Sequence, residues 1–193
     1  MPSPPHALAV VGLAGTGKSS VTRQLVHQFG YHPVHFGGFV TEEVKRRGLE
    51  VVQAHEKVVR EELRTVHGMA AMAILGEAQI AELMDAGKLV AIDGLYSFAE
   101  WEYLHDKFPL RLLAIHVSRQ LRHQRTAARP VRPLTAAELD ERDVSEIKLL
   151  DKGGPIAIAD HHIVNDGDPT ELELAVAAAV AEVWQWAERL VNR

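Results

Sequence analysis

Three glycines, a lysine and a serine near the start of the chain have the spacing of a site that binds a chain of phosphates. The stretch Gly12-Leu13-Ala14-Gly15-Thr16-Gly17-Lys18-Ser19 fills every fixed position of the pattern G-x-x-x-x-G-K-[ST]. Glycines permit backbone conformations in which successive N–H groups turn inward around anionic oxygens. Lys18 could then reach the outer phosphates of a nucleoside triphosphate, and the Ser19 hydroxyl could bind a magnesium ion.

The neighbouring sequence supports this interpretation. The apolar run Ala7–Val11 predicts a buried strand before the loop, and Val21, Leu25 and Phe29 follow it at helical spacing. The alternative, a glycine-rich turn that only resembles the motif, is disfavoured by this order of strand, loop and helix. Ser20 is included as the neighbour of Ser19 and not as the expected metal ligand. The predicted phosphate-binding residues are Gly12, Ala14, Gly15, Thr16, Gly17, Lys18, Ser19 and Ser20.

A carboxylate ends a later apolar run. Leu89–Asp93 reads as a buried strand whose last residue is acidic. Because the carboxyl ends of parallel strands meet at one edge of a sheet, Asp93 would lie beside the phosphate loop. There it could hold magnesium through water, or accept a proton from an attacking hydroxyl group. The alternative is that Asp93 and Gly94 only form a turn.

Four arginines follow the next buried run, Leu110 to Val117. Arg122, Arg125 and Arg129 fall on one face of a predicted helix, and Arg132 follows between two prolines. An anionic ligand would relieve the repulsion within such a face. We interpret it as a mobile lid that brings arginines onto a transferring phosphate, with Arg125 and Arg129 ahead of Arg122. The alternative is a solvated basic face.

A second basic group lies between the first two predicted strands. Some of its members could bind the phosphate of an acceptor substrate, but the surface of a helix carries such charges equally well. The group consists of Lys45, Arg46, Arg47, Arg60 and Arg64.

The elements that must position these residues alternate along the chain. Apolar strands separated by helices predict an α/β fold with a mostly parallel sheet between two helix layers. Strands are predicted at Tyr31 to Phe36 and at His162 to Asn165, besides the three runs above. Ligands of such folds gather at the carboxyl ends of the strands. Gly12, Gly37, Asp93, Ser118 and Asn165 are all predicted at that edge.

Helix boundaries follow from capping signals. Ser97 with Glu100, and Thr135 with Glu138, have capping-box spacing, and Asp168 precedes a proline at the first position of the last helix. Ser118 is a further predicted cap. We also expect a helix from Val40 to Arg47 after a glycine break at Gly37-Gly38, and another break at Gly153-Gly154.

Composition narrows the class of protein. A chain of 193 residues can form one domain without a second. The net charge of -5 argues against a general surface for nucleic acid, and the lack of cysteine excludes disulfides, thiolate catalysis and cysteine-bound metals. We find no signal-peptide pattern and no apolar run of membrane-spanning length, so we expect a cytoplasmic protein that does not bind membranes.

With these residues assembled, the chain resembles the nucleoside monophosphate kinase group of phosphate-loop proteins, and within it dephospho-coenzyme A kinase and its relatives. Besides the phosphate loop, the resemblance lies in the segment from Ala159 to Gly167 and in Arg142-Asp143 with Glu146. It implies a five-stranded parallel sheet, a lid at about residues 119–150 and a helical acceptor-binding segment at about residues 37–68. It also implies that Asn165 and Gly167 contact the adenine of ATP.

The acceptor side departs from that family. Where the adenylate-kinase-like pattern has Gly-Asp followed after two residues by Arg, this chain has Gly37-Gly38-Phe39-Val40-Thr41. The leading hypothesis is a kinase that uses ATP and Mg²⁺ to phosphorylate a small, nucleotide-like acceptor, such as dephospho-coenzyme A or a nucleoside monophosphate. Its catalytic residues would be Lys18, Asp93 and the three lid arginines. The alternative is an ATPase or regulatory switch without an acceptor. Trp184 and Trp186 in the last helix leave room for a homodimer contact.

Overall fold

Five short strands form one fully parallel sheet at the centre of the fold. The computed structural model describes residues 3–130 and 133–192. Its strands lie in the order β2-β3-β1-β4-β5, and every neighbouring pair is parallel. They are β1 (Ala7–Val11), β2 (Tyr31–His35), β3 (Leu89–Asp93), β4 (Leu110–His116) and β5 (His161–Val164). The central strand β1 is buried along its whole length, which is why its sequence is continuously apolar.

Helices cover both faces of the sheet. In the described part of the chain they are α1 (Lys18–Phe29), α2 (Phe36–Arg46), α3 (Gln53–His67), α4 (Ala71–Asp85), α5 (Phe98–His105), α6 (Arg119–Ala127), α7 (Ala136–Leu150), α8 (Gly153–Ala157) and α9 (Pro169–Val191). Helices α1 and α9 form the core on one face, and α2 to α5 with α8 pack on the other. The predicted three-layer α/β/α fold with a five-stranded parallel sheet is therefore confirmed.

Three of the four predicted helix caps are present. Ser97 with Glu100, and Thr135 with Glu138, form complete capping boxes. The Asp168 carboxylate accepts hydrogen bonds from two backbone N–H groups at the start of α9. Ser118 lies at the predicted N-cap position of α6, but its side chain makes no capping bond. Instead its backbone N–H donates to Asp166 Oδ1 at 2.8 Å, which joins α6 to the loop after β5.

Two predicted glycine breaks are helix starts instead. Helix α2 begins at Phe36, which is fully buried, and it contains Gly37 and Gly38. A Cβ atom at Gly37 would lie 2.9 Å from His35 Nε2, so the glycine lets the helix start pass close to that ring. Likewise Gly154 lies in α8, where a Cβ atom would come 2.6 Å from a ring carbon of Phe98. Close packing, and not a turn, explains these glycines.

The tryptophans of α9 pack within their own chain. The ring of Trp184 meets that of Phe29 at 6.1 Å, and the Arg111 guanidinium lies 4.3 Å from the Trp186 ring. Both indoles are partly buried against the core beneath α9. They therefore form no exposed pair, and the predicted homodimer contact gains no support from them.

Candidate active site

The phosphate loop connects the buried end of β1 to the start of α1. Gly12 has a φ of +144° and Gly17 a φ of +98°, both in the region that favours glycine. Space is equally restrictive, because a Cβ atom at Gly12 would lie 2.5 Å from the Ile115 carbonyl oxygen. One at Gly17 would lie 2.6 Å from Asn165 Nδ2. The loop is thus held against β4 on one side and the loop after β5 on the other.

Lys18 lies folded over this loop. Its Nζ donates a hydrogen bond to the Leu13 carbonyl oxygen at 2.9 Å. Burial, together with the nearby charge of Lys152, lowers the pKa of Lys18 to about 7, although the charges of Glu146 and Asp93 act in the opposite direction. An ammonium group in this position gains strongly from a phosphate beside it, since the anion offsets the cost of burial.

Asp93 lies at the predicted edge of the sheet. In the strand register it is the partner of Val10 in β1 and of His35 in β2, and its Oδ2 lies 3.2 Å from His35 Nδ1. Burial alone would raise the pKa of the Asp93 carboxyl. The hydrogen bond and charge of His35 outweigh burial, with help from Lys18 and Lys152, and hold that pKa below its ordinary value. Asp93 is therefore an ionised carboxylate beside the phosphate loop.

The oxygen donors at this edge fit magnesium. Mg²⁺ prefers carboxylate and hydroxyl oxygens together with phosphate and water. The ionised Asp93 and the exposed hydroxyl-bearing Ser19 supply such oxygens. Within residues 3–130 and 133–192, no cluster of three or more histidine or acidic side chains could hold a metal by itself. A magnesium ion at Ser19 and Asp93 would therefore depend on the phosphates of a nucleotide and on water for its remaining ligands.

The lid arginines occupy different environments. Arg122 is buried, and it donates to Asp143 Oδ1 at 3.0 Å and to the Ala14 carbonyl oxygen at 3.1 Å. It thereby joins α6, α7 and the phosphate loop. Arg125 donates to the Asn165 carbonyl oxygen at 2.9 Å. Arg129 lies beyond the end of α6 and is partly exposed. The fourth predicted arginine, Arg132, falls outside the described residues.

A cavity of about 580 Å³ opens beside the phosphate loop. Gly17, Arg125, Asn165 and Gly167 all line it, together with residues of α1 and the start of α9. The Asn165 side chain itself is buried, and its Nδ2 donates to the Thr16 carbonyl oxygen at 2.9 Å. In this arrangement the Asn165 side chain supports the phosphate loop, and the contact of Asn165 and Gly167 with the adenine of ATP stays a prediction.

A buried cluster near Lys18 was missed from the sequence. Lys152, only 1% exposed, donates to Glu146 Oε2 at 2.5 Å, and its Nζ lies 4.1 Å from the centre of the Tyr96 ring. Arg142 Nε donates to the other Glu146 oxygen at 2.8 Å. The family resemblance points to Arg142 and Glu146 but not to Lys152, because the sequence Asp-Lys-Gly-Gly reads as a solvent-exposed turn.

Comparison with known proteins agrees with this architecture. A family model described as an AAA domain matches residues 11–138. A UPF0200 protein of Thermococcus gammatolerans is 34% identical over 179 residues, which cover 90% of this chain and 93% of the relative. A UPF0200 protein of Aeropyrum pernix is 35% identical over 174 residues, covering 89% and 90% of the two chains.

Solved structures share the fold at low identity. TT1252 from Thermus thermophilus has a TM-score of 0.64 and 19% identity, and the match covers 93% of this chain and 98% of that one. A gluconokinase from Sinorhizobium meliloti has a TM-score of 0.58 and 15% identity, and the match covers 97% of each chain. A shikimate kinase from Aquifex aeolicus has a TM-score of 0.58 and 18% identity, and the match covers 91% of this chain and 96% of that one. The fold is therefore that of phosphate-loop kinases. No helix in the described part of the chain is long and apolar enough to cross a membrane.

Proposed function

Because the chain belongs to the UPF0200 family and has the fold of phosphate-loop kinases, we propose that it is a phosphotransferase that uses ATP and Mg²⁺. The transferred γ-phosphoryl group goes to a hydroxyl or phosphate group of a small molecule. Dephospho-coenzyme A and the (deoxy)nucleoside monophosphates are the narrower acceptor candidates.

The observation that carries this proposal is the convergence of charges on Lys18. The pKa of Lys18 responds to Lys152, Glu146, Asp93 and Arg142, which come from β3, α7 and the turn before α8. Binding a triphosphate requires only the loop itself. Additional cations and a carboxylate around the outer phosphates are what stabilisation of a transferring phosphoryl group requires.

In the proposed reaction the acceptor oxygen forms a bond to the γ-phosphorus. The bond from that phosphorus to the β–γ bridging oxygen breaks, and ADP leaves with the electron pair. When the acceptor group is a hydroxyl, its proton passes to the Asp93 carboxylate. Lys18 and the backbone N–H groups of the loop hold the β- and γ-phosphates, and the lid arginines Arg125, Arg129 and Arg122 complete the enclosure. Magnesium, bound with Ser19 and Asp93, would offset charge on the phosphate oxygens.

The second candidate is an ATPase or regulatory switch without a small-molecule acceptor. The residues that follow β2 favour it, because Phe36 is buried and Gly37 and Gly38 carry no functional group. In addition, the Asp93 carboxylate already has a partner, because His35 Nδ1 lies 3.2 Å from Asp93 Oδ2. Both features reduce the polar groups available to an acceptor at this edge.

The deciding experiment measures ADP formation from ATP and Mg²⁺ with and without acceptors. The panel contains dephospho-coenzyme A, nucleoside and deoxynucleoside monophosphates, gluconate, shikimate and small sugars. Lys18→Ala is expected to lower turnover by at least about 100-fold, since a charge that stabilises the transferred group is lost. Lys45→Ala is the matched control, because Lys45 pairs with Glu42 on the surface.

Acceptor-dependent turnover supports the kinase. Slow hydrolysis that stays constant across the panel would favour the switch instead. Unchanged ATP binding and turnover in Lys18→Ala would refute the assignment of the site itself.

A further inference from the structure

One arginine of α3 differs from the other basic residues between β2 and β3. Lys45 pairs with Glu42, and Arg46 with Glu43, both on exposed surface. Arg47 likewise pairs with acidic residues of α2 and α3. Arg64 behaves differently, because its Nε and Nη2 atoms are buried and have no hydrogen-bond partner among the described residues. Arg64 thus differs from Lys45, Arg46 and Arg47, whose charges are paired at the surface.

Unpartnered N–H groups of a buried guanidinium are costly. A buried donor without a partner loses its hydrogen bonds to water, and a charged donor loses more than a neutral one. Burial accordingly lowers the pKa of Arg64. The Nε–Nη2 edge is also one of the edges through which arginine binds a carboxylate or phosphate with two parallel hydrogen bonds. The structure therefore keeps a bidentate donor pair without its usual kind of acceptor.

A second buried side chain in this region, Glu100, has one oxygen without a hydrogen-bond partner in the described part of the chain. Glu100 is fully buried, and its Oε2 accepts hydrogen bonds from the backbone N–H groups of Tyr96 and Ser97 at 2.6 and 3.2 Å. Its Oε1 is buried without a partner. The charge of Glu100 acts on Arg64, yet the two side chains form no direct ion pair. A donor edge and an acceptor oxygen are therefore both unsatisfied in the same region, between α3 and the start of α5.

This region adjoins the reaction centre. Ser97 Oγ donates to the Met69 carbonyl oxygen at 2.9 Å, which fixes the start of α5 against the segment that follows α3. Tyr96 contacts both areas, because its backbone N–H donates to Glu100 Oε2 at 2.6 Å and its ring centre lies 4.1 Å from Lys152 Nζ. The region of Arg64 and Glu100 is thus joined through Tyr96 to the cluster that acts on Lys18.

We propose that Arg64, with Arg60 beside it and Glu100 opposite, forms the acceptor subsite for a small molecule that carries an oxyanion and a neighbouring hydroxyl group. Rotation of the Arg64 side chain presents Nε and Nη2 to the oxyanion, a carboxylate or a phosphate. Glu100 Oε1 accepts the hydrogen bond of the hydroxyl. The assignment rests on the proposed kinase function, because it names the class of acceptor that the kinase would phosphorylate.

Binding can be tested without any activity. In protein labelled with ¹⁵N at arginine Nε, inorganic phosphate and acetate are titrated separately, and the Arg64 signal is identified through Arg64→Lys. We expect the Arg64 signal to shift saturably with at least one anion, and the anion that acts distinguishes phosphate from carboxylate. Arg46, which is already paired with Glu43, is the internal control. An Arg64 signal that moves no more than that of Arg46 overturns the subsite.

Kinetics provide the second test. Acceptors are compared in three classes: phosphate esters, hydroxy-carboxylates such as gluconate, and neutral polyols. Arg64→Gln is expected to raise the KM of an anionic acceptor at least tenfold and to leave the ATP affinity within twofold, whereas Arg46→Gln changes neither. A variant that is only less stable, with KM unchanged, overturns the subsite, as does turnover confined to neutral acceptors. A lack of turnover with every acceptor would contradict the kinase function, and the anion titration would still decide the subsite.

Discussion

At the scale of single residues, the phosphate loop depends on glycines, because a larger side chain would not fit at their positions. Gly17 combines a left-handed backbone with the close approach of Asn165, whose amide donates to the carbonyl oxygen of the preceding residue, Thr16. The loop geometry is thus set jointly by its own glycines and by a residue almost 150 positions later in the chain.

Gly17→Ala should weaken ATP binding by at least about tenfold. Backbone strain of this kind costs about 1–3 kcal/mol, and the new methyl group would also displace the Asn165 amide. The control is Gly30→Ala, at a φ of +72° with nothing within 4 Å of the added atom. Both variants lose some stability, but calorimetric titration with ATP should show weaker binding only for Gly17→Ala. Equal affinities in the two variants would contradict the role of the Asn165 contact.

Glu100 should make stability depend on pH. Burial raises the pKa of Glu100 from its ordinary value of 4.5 to about 7. The folded state therefore favours the protonated form, and the stability that this contributes is complete below about pH 4.5 and is lost as the pH rises through 7. Between pH 4.5 and 8, wild type should lose up to about 3 kcal/mol more unfolding free energy than Glu100→Gln. Urea denaturation measures this difference, and parallel pH curves would contradict it.

At the scale of elements, the predicted lid is tied to the loop by one buried ion pair. Arg122 of α6 reaches both Asp143 of α7 and the carbonyl oxygen of Ala14. This arrangement couples the position of α7 to that of the phosphate loop, so movement of the lid would be felt where the phosphates bind. If Arg122 stabilises the transferred phosphoryl group as proposed, its ion pair with Asp143 must rearrange when the lid closes.

Breaking the ion pair between Arg122 and Asp143 should lower the free energy of unfolding. Arg122→Ala leaves the Asp143 carboxylate, which is 13% exposed, without its partner, and we expect a loss of about 3 kcal/mol in unfolding free energy. Arg122→Ala/Asp143→Ala should cost much less than the sum of the two single substitutions. Arg119→Ala, which breaks the exposed pair with Asp140, is the control and should change stability little. Additive effects of Arg122 and Asp143 would show that they act independently.

At the scale of the whole molecule, both helix layers pack on the same parallel sheet. Trp101 belongs to the layer of α2 to α5, and Trp184 and Trp186 belong to the layer of α1 and α9. Loss of either layer would expose one apolar face of the sheet, and the strands are shared by both layers. We therefore propose that the chain unfolds as a single unit, as expected for one domain.

Tryptophan fluorescence can test this directly. Trp101→Phe leaves the two tryptophans of α9 as fluorescent reporters, and Trp184→Phe/Trp186→Phe leaves Trp101 of α5. The transition seen by fluorescence should coincide with the loss of circular dichroism within each variant. Separate midpoints for the two probes would instead indicate that one layer unfolds before the other.

The sequence by itself determined the features that depend on local spacing. The phosphate loop, the apolar strands and the capping boxes at Ser97 and Thr135 could all be identified, because their signals lie within a few residues and result from burial or hydrogen bonding over one turn. The position of Asp93 also followed, since strands of a parallel sheet end at a common edge.

Only the tertiary structure decided which charged side chains meet. Arg46 and Arg64 look alike in the sequence, but Arg46 pairs with Glu43 on the surface, whereas Arg64 has two buried donor atoms without a partner among the described residues. Lys152 reads as part of a turn, yet it lies in the cluster that acts on Lys18. The environment of a charge depends on burial and on partners far away in the chain, and no local pattern encodes those contacts.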